Sequence, residues 1–385
     1  MNQFVKAYLW DEPMGIISRD TKTQEVRFEF LPSFIQSGLE PSPIIFPMER
    51  LRQKSEVFLY EATGNGLKNI PPIFRDSLPG EYAKRLLGFA LRDSSKTPES
   101  LSALSYLSLL GNRGMGALGF EPSGYPELNQ AEAFDIEQIV RYAHLLYNNE
   151  TSLSERRIRV LLRSGLFTGG SWPKAVVAIN DFTGEVLSGQ SVVPEGYDGW
   201  ILKLNGVGET DPDALHEEYV YCRKASECGI TMVPYRFIKD RHHTHLLCKR
   251  FDRMGKDKVH IQSFAALRDQ QEDSYEAAFR CMRQLHLPYP DIEQLFKRLV
   301  FNVLIGNCKD SPDKVLFTYT HDRVWHLAPA FGLKPTTNLT KHAMSVNGKG
   351  CDIGTEDLLQ LGKMLNIKQA KAILKTCKEV LNNHN

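Results

Sequence analysis

The chain has 385 residues, 42% of them hydrophobic and 24% charged, with a formal net charge of +1 at pH 7. That length can bury a large core in two or three domains without disulfide or metal staples. The near-zero charge excludes a global attraction to nucleic acid or to a membrane surface and leaves only local patches for either.

The seven cysteines all lie at or after Cys222, and none forms a C-x-x-C pair. An odd number cannot all pair within the chain, so a reducing, cytoplasmic setting is expected. The start, MNQFVKAYLW, lacks a basic region and a long apolar run, so no secretory signal is expected. No stretch approaches the about 20 apolar residues of a membrane helix, so no membrane partner is expected.

In chain order, FVKAYLW and MGIISRD read as short strands separated by the turn Asp11-Glu12-Pro13, and VRFEF as a third strand. Phe34 to Leu51, punctuated by proline and serine, reads as irregular. Leu86 to Ala90 and Leu101 to Leu110 carry apolar residues at helical spacing. Gly111 to Gly119 (GNRGMGALG) reads as a glycine-rich turn, residues 121–135 as a linker, and Ala133 to Asn148 as a helix.

From about residue 153 the pattern changes. Ser154 to Leu162 reads as helix, and GLFTGGSWPKAVVAI as a glycine-rich loop feeding a strand. Trp200 to Leu204 reads as strand. Asp213 to Cys228 reads as a helix stopped by Gly229, and further strands are expected at Met232 to Ile238 and His245 to Phe251. Beyond Asp273 the chain reads as mostly helical, interrupted near residues 301–336 by a polar loop, a short hairpin and a second loop. Strands first and helices later predict an α+β, two-lobed architecture.

Five constellations carry candidate chemistry. Gly169-Gly170-Ser171-Trp172-Pro173-Lys174 places glycines before a strand, where backbone amides can approach phosphates; the alternative is a simple turn. Lys203 in WILKLNG, with Glu218 (or Glu217) on the next helix, suits a kinase-type Lys–Glu pair; the alternative is a solvated strand lysine. Lys249-Arg250-Phe251-Asp252-Arg253 would be a hinge against a purine, or an edge strand ending in charges.

The fourth is the loop with Asn307, Lys309, Asp310, Asp313 and Lys314, followed later by Gly332. A kinase loop needs an Asp as base, an Asn five residues on for magnesium, and a further Asp after the next hairpin. Neither Asp310, followed at that spacing by Val315, nor Asp313, followed by Thr318, satisfies this, and Asp-Ser-Pro-Asp is good turn chemistry. The fifth, Arg241-His242-His243-Thr244-His245, reads as a polar hairpin tip rather than a metal site, because metal ligands come at fixed spacing from more than one element.

These pieces occur in the order found in the HipA family, serine/threonine kinase toxins of bacterial type II toxin–antitoxin modules, and the resemblance spans nearly the whole chain. IPPIFRDSLPGEYAKRLL and GNRGMGAL resemble the family's front segments, and GGSWPKA its GGARPKA phosphate loop. ILKL resembles the strand with the ATP-binding lysine, here Lys203. The family's helix glutamate, eleven residues before a glycine, falls on Glu218. KRFDR resembles its E-R-F-D-R hinge, LAPAFGLKPT its LAPAYDLLPT, and MSVNGKG is also family-like.

The resemblance implies a HipA/protein-kinase-like fold. It divides into an N-terminal β-rich accessory subdomain over 1–120, a kinase-like N-lobe over 150–265 and a mainly helical C-lobe over 266–385. It also implies ATP as ligand, with Gly169, Gly170, Ser171, Lys174, Lys203, Glu218, Arg250 and Phe251 around it. A small helix-turn-helix antitoxin-like partner is implied too, with DNA reached indirectly through that partner.

The departures fall on the chemistry. Against the family's G-N-T-D-D-H-x-K-N loop, Lys309 stands at the catalytic Asp and Lys314 at the magnesium-binding Asn. Gly332 replaces the second metal-binding Asp, and Lys249 the hinge Glu. The H-Q-E-D-F pattern becomes His260-Ile261-Gln262-Ser263-Phe264, and the serine that family kinases can autophosphorylate aligns with Phe167, beside Thr168. Loss of a general base alone costs about 10²–10⁴ in rate, so the expectation is a pseudokinase with no catalytic residue, no metal site and no magnesium. On this reading Lys203, Lys309 and Lys314 hold phosphates without metal. The alternatives are an atypical active kinase using Asp310 or Asp313, and a component of a DNA-bound repressor complex.

Overall fold

The structure, a computed structural model, describes all residues except 1–2, 62–68, 93–94, 125, 134, 149–153, 166–168, 190–191, 209–210, 212, 269–271 and 384–385. The chain divides into two compact units. The first comprises Met1–Pro41, Phe46–Pro212 and Tyr235–Ile261, the second Ser42–Ile45, Asp213–Pro234 and Gln262–Asn385.

The first unit contains two antiparallel sheets. β1 (Gln3–Leu9), β2 (Glu12–Arg19), β3 (Val26–Phe30), β4 (Val57–Tyr60) and β5 (Leu118–Glu121) form one, in the order β4-β3-β2-β1-β5. Its strands obey period two: Val5, Ala7 and Leu9 of β1 are buried while Lys6 and Tyr8 are not, and β3 alternates strictly. Behind it Phe28 makes edge-to-face contacts with Phe30, Phe46 and Phe74, with centroids 4.6, 5.9 and 5.1 Å apart. Each such ring contributes about 1.5–3 kcal/mol by leaving water.

The stretch expected to be irregular contains two short helices, α1 (Pro32–Gln36) and α2 (Met48–Gln53). Proline explains both the expectation and the outcome. Pro32 occupies the first helical position and Pro47 the N-cap, where a missing N–H costs nothing. The helices α3 (Glu81–Leu91), α4 (Ala103–Leu110), α5 (Ile136–Tyr147) and α6 (Glu155–Gly165) follow. The glycine-rich turn is shorter than expected, because Leu118 already pairs with Leu9 in β5.

The second sheet has the order β7-β6-β8-β10-β9, from β6 (Lys174–Ile179), β7 (Val186–Ser188), β8 (Asp198–Lys203), β9 (Tyr235–Lys239) and β10 (Thr244–Lys249). All six residues of β6 are buried, as its run of valine and alanine requires. A two-residue-per-strand hairpin, β11 (Arg253–Met254) and β12 (Asp257–Lys258), closes the unit. The strand expected to reach Phe251 stops at Lys249, and the cause is a buried ion-pair turn described below.

The second unit is built on α7 (Ala214–Glu227), α8 (Phe264–Leu267), α9 (Tyr275–Gln284), α10 (Tyr289–Ile305), α11 (Thr355–Met364) and α12 (Ala370–Asn382). In α10, Ile292, Leu295, Phe296, Leu299 and Val300 recur at three and four spacing and are buried. The helix stops at Gly306, which takes the left-handed conformation (φ 65°) that only glycine adopts cheaply. A three-stranded sheet, β13 (His260–Ser263), β14 (Leu316–Tyr319) and β15 (Trp325–Leu327), follows the order β13-β14-β15. Among the described residues no helix is long and apolar enough to cross a membrane.

Candidate functional site

The glycine-rich loop precedes β6 in the first unit. Gly169 (φ 65°) and Gly170 (φ 70°) both occupy the left-handed region, so the paired glycines are required by backbone geometry. The Lys174 ammonium donates back to the Gly169 carbonyl at 2.5 Å, and the Trp172 indole donates to Leu204 at 2.9 Å. On its far side the loop meets the start of α3. A Cβ on Gly80 would fall 2.7 Å from both the nitrogen and the oxygen of Gly170. Ser171 is exposed, and its carbonyl accepts from the Tyr147 hydroxyl at 3.3 Å. Phe167 and Thr168 lie outside the described residues.

Lys203, the last residue of β8, lies directly opposite Lys174 in the β6–β8 register. Directly opposed residues of an antiparallel pair share a face, so these two lysines lie on the same side of the sheet. Lys174 is buried and Lys203 half-buried, so solvent screens them incompletely.

The expected hinge is built differently from a purine-facing strand. Arg250 is buried; its backbone N–H donates to Gly199, and its guanidinium donates to Gly189 and twice to Asp252, at 2.8 and 2.6 Å. Both its backbone donor and its side chain therefore have partners within the protein. Phe251 beside it is half-buried. Asp252 also accepts from Arg253 and from the Gly116 amide at 2.9 Å, while Arg253 donates to the carbonyls of Gly114 and Gly116. Burial alone would raise this carboxyl, but the two guanidiniums win and hold it well below the usual carboxylate range. Lys249, in place of the family's hinge Glu, pairs with Asp198 at 2.8 Å.

In the second unit, Glu218 on α7 is buried, and a Cβ on Gly332 would lie 3.8 Å from its carboxylate. Gly332 itself is left-handed (φ 62°). The neighbouring Glu217 lies 3.7 Å from the Lys334 ammonium. Lys309 and Lys314 are both exposed, with Lys314 5.5 Å from the centre of the Phe331 ring. Asp313 is exposed, in a short 3₁₀ turn begun by Pro312, and accepts from the Ser311 hydroxyl at 3.2 Å.

Asp310 is placed quite otherwise. It is buried, and its carboxylate accepts from the Tyr275 hydroxyl (2.9 Å), from the Ala343 amide (3.0 Å) and from His342 Nδ1 (3.0 Å). Asn302 donates to Tyr275 at 3.1 Å, and Asn307 to Asn302 at 2.9 Å, so the network ties α9, α10 and the loop together. Burial, then the Asp310 charge, pushes the Tyr275 hydroxyl up, which keeps it a donor. Three donors from the protein itself therefore occupy the Asp310 carboxylate.

The histidine run forms a turn. Asp240 accepts from the amides of His242 and His243, and buried His245 lies between Asp240 (3.2 Å) and the Asn205 amide (3.0 Å). Burial lowers the His245 imidazole despite Asp240. Among the described residues no group of three or more His, Cys, Asp or Glu is placed to hold a metal ion.

Family models of the HipA N-terminal domain and of the HipA-like C-terminal domain match residues 5–121 and 166–384. The chain belongs to the HipA family. No curated protein matches it. Among solved structures, the Shewanella oneidensis MR-1 HipA, determined as a toxin–antitoxin complex of HipA, HipB and operator DNA, matches with a TM-score of 0.69 and 16% identity. The match covers 98% of this chain and 90% of that one. It shows that the HipA fold, α+β and two-lobed, runs through essentially the whole sequence. A Helicobacter pylori proinflammatory kinase, CtkA, matches 50% of the chain and 86% of its own length at 13% identity and a TM-score of 0.34, too slight a likeness to bear on the fold.

Two structural features of this HipA-family protein escaped the sequence reading: the Asp252 clamp on the glycine turn, and the His342 and Tyr275 partners of Asp310. The signal for the first was an Arg-Phe-Asp-Arg run beside a glycine-rich turn, both quoted as family-like but neither assigned to the other.

Proposed function

We propose that this HipA-family protein is a pseudokinase that acts by binding. On this reading its first unit takes an anion such as the phosphates of ATP on Lys174 and Lys203, without magnesium. The observation that carries the reading is the fate of the acids in the loop after α10. Lysines stand at 309 and 314, glycine at 332, and the carboxylate of Asp310 is buried under three donors. These residues do not fit a magnesium ion, since the positions that would grip it are cationic or have no side chain. The opposed lysines beside the glycine loop do fit a phosphate chain.

The Shewanella HipA was solved with HipB and operator DNA, which supports a small helix-turn-helix antitoxin-like partner here, and DNA contact through that partner. Asp313, exposed and hydrogen-bonded among the described residues only to the Ser311 hydroxyl, is the observation favouring a residual kinase. Calorimetric titration with ATP in EDTA tests the proposal. Binding should persist in EDTA and gain little from added magnesium. Undetectable binding in EDTA, or phosphoryl transfer from labelled ATP that Asp313→Asn abolishes, overturns it.

A further inference from the structure

Within the first unit a cleft of about 450 Å³ lies against the outer side of the glycine-rich loop, between α3, the end of α5 and the turn at Pro98. That volume is in the range of small-molecule sites. One wall is aromatic: Tyr82 and Tyr147 stack with centroids 6.3 Å apart and planes 20° from parallel. The Arg85 guanidinium lies over Tyr147 at 4.4 Å, and it has no carboxylate partner among the described residues. Pro98 and Glu99 also line the cleft: Pro98 supplies an apolar surface, and Glu99, exposed and likewise without an ion pair among the described residues, supplies a negative charge. The remaining charges in the lining, Glu81 and Lys84, neutralise each other at 2.9 Å.

We infer that this cleft is an effector site for a free aromatic α-amino acid. The ring would lie along the Tyr82–Tyr147 wall, the carboxylate on Arg85 and the ammonium on Glu99. A planar wall with one cation and one anion, neither in an ion pair among the described residues, matches a zwitterion better than a simple acid or a simple amine. Occupancy would be felt by the glycine loop through Tyr147. Its hydroxyl holds the Ser171 carbonyl, and its ring is packed so closely on Gly208 that a Cβ there would lie 2.6 Å away. Burial raises the Tyr147 hydroxyl, which preserves it as that donor.

The inference does not depend on nucleotide binding, and its test reads the cleft directly. The full-length protein is titrated with tryptophan and phenylalanine, and with indole-3-propionate and tryptamine, which each lack one of the two charges. Binding is followed by thermal shift and by hydrogen exchange of the segments around α3 and residues 169–174. A Kd of about 1 mM or tighter is expected for an amino acid, with weaker binding of both single-charge analogues and slowed exchange in both segments. Arg85→Ala and Glu99→Gln, both at exposed positions, should each weaken binding about tenfold. The inference is overturned if neither amino acid binds at millimolar concentration, if the two substitutions leave binding unchanged, or if exchange in both segments is unaffected.

Discussion

Two buried carboxylates, one in each unit, show what burial does to an acid. Asp252 is surrounded by two guanidiniums and one backbone amide. Asp310 is surrounded by a tyrosine hydroxyl, an amide and a histidine. The first has full cationic compensation and welds the glycine turn of residues 114–116 to the end of β10. The second is held by donors with little fixed charge and shapes a loop that in kinases carries the chemistry. An acid in a catalytic neighbourhood serves as a base only through a lone pair left free, and each of these carboxylates already accepts at least three hydrogen bonds from the protein itself.

That contrast can be broken experimentally. The largest effect is expected from Asp252→Ala, which strands Arg250 and Arg253 as buried charges and should cost about 3–5 kcal/mol. A urea titration in which the variant unfolds within about 1 kcal/mol of the parent would show the clamp to be decorative. Next comes acid. Burial holds the His260 imidazole, which donates to the Pro41 carbonyl at 3.0 Å, down to about 4. The unfolded chain takes that proton below about pH 6.5, so it binds more protons than the fold between 6.5 and 4. Stability should therefore be full above about pH 6.5 and fall by about 3 kcal/mol as pH drops to 4, a slope that His260→Gln should flatten.

Asp310→Ala should cost about 1–3 kcal/mol, by leaving the Tyr275 hydroxyl and the Ala343 amide unsatisfied, while sparing ATP binding in EDTA. Intact stability with a lost phosphoryl-transfer activity would reverse the assignment and make Asp310 the base. The smallest effect is expected from Lys203→Ala, which should weaken ATP binding in EDTA about tenfold, or about 1.4 kcal/mol. An unchanged Kd would remove Lys203 from the anion site.

Much of this was legible in the sequence, and the physical reasons for what was not are specific. Strands β1 to β3 announced themselves because one face is buried and the other wet. β4 did not: Val57, Phe58, Leu59 and Tyr60 are all apolar or aromatic, and Val57 and Leu59 are exposed, so its sequence shows no alternation between the two faces. The lysines at 309 and 314 and the glycine at 332 could be read directly, since a changed residue type needs no structure to be seen. The commitment of Asp310 could not be read, because Tyr275 and His342 stand 35 and 32 positions away in sequence. The clamp on Asp252 reaches Gly116 across 136 positions. Residue identity was local and legible; the supply of donors was not.

The bare backbone at Gly80 has an evolutionary consequence. It touches Gly170 so closely that any side chain there would act as a wedge, prising the glycine-rich loop away from the helix that follows Gly80. The two segments, ninety positions apart, cannot drift independently: a mutation at one must be met by a rearrangement of the other. The start of α3 is therefore mechanically geared to the glycine-rich loop before β6.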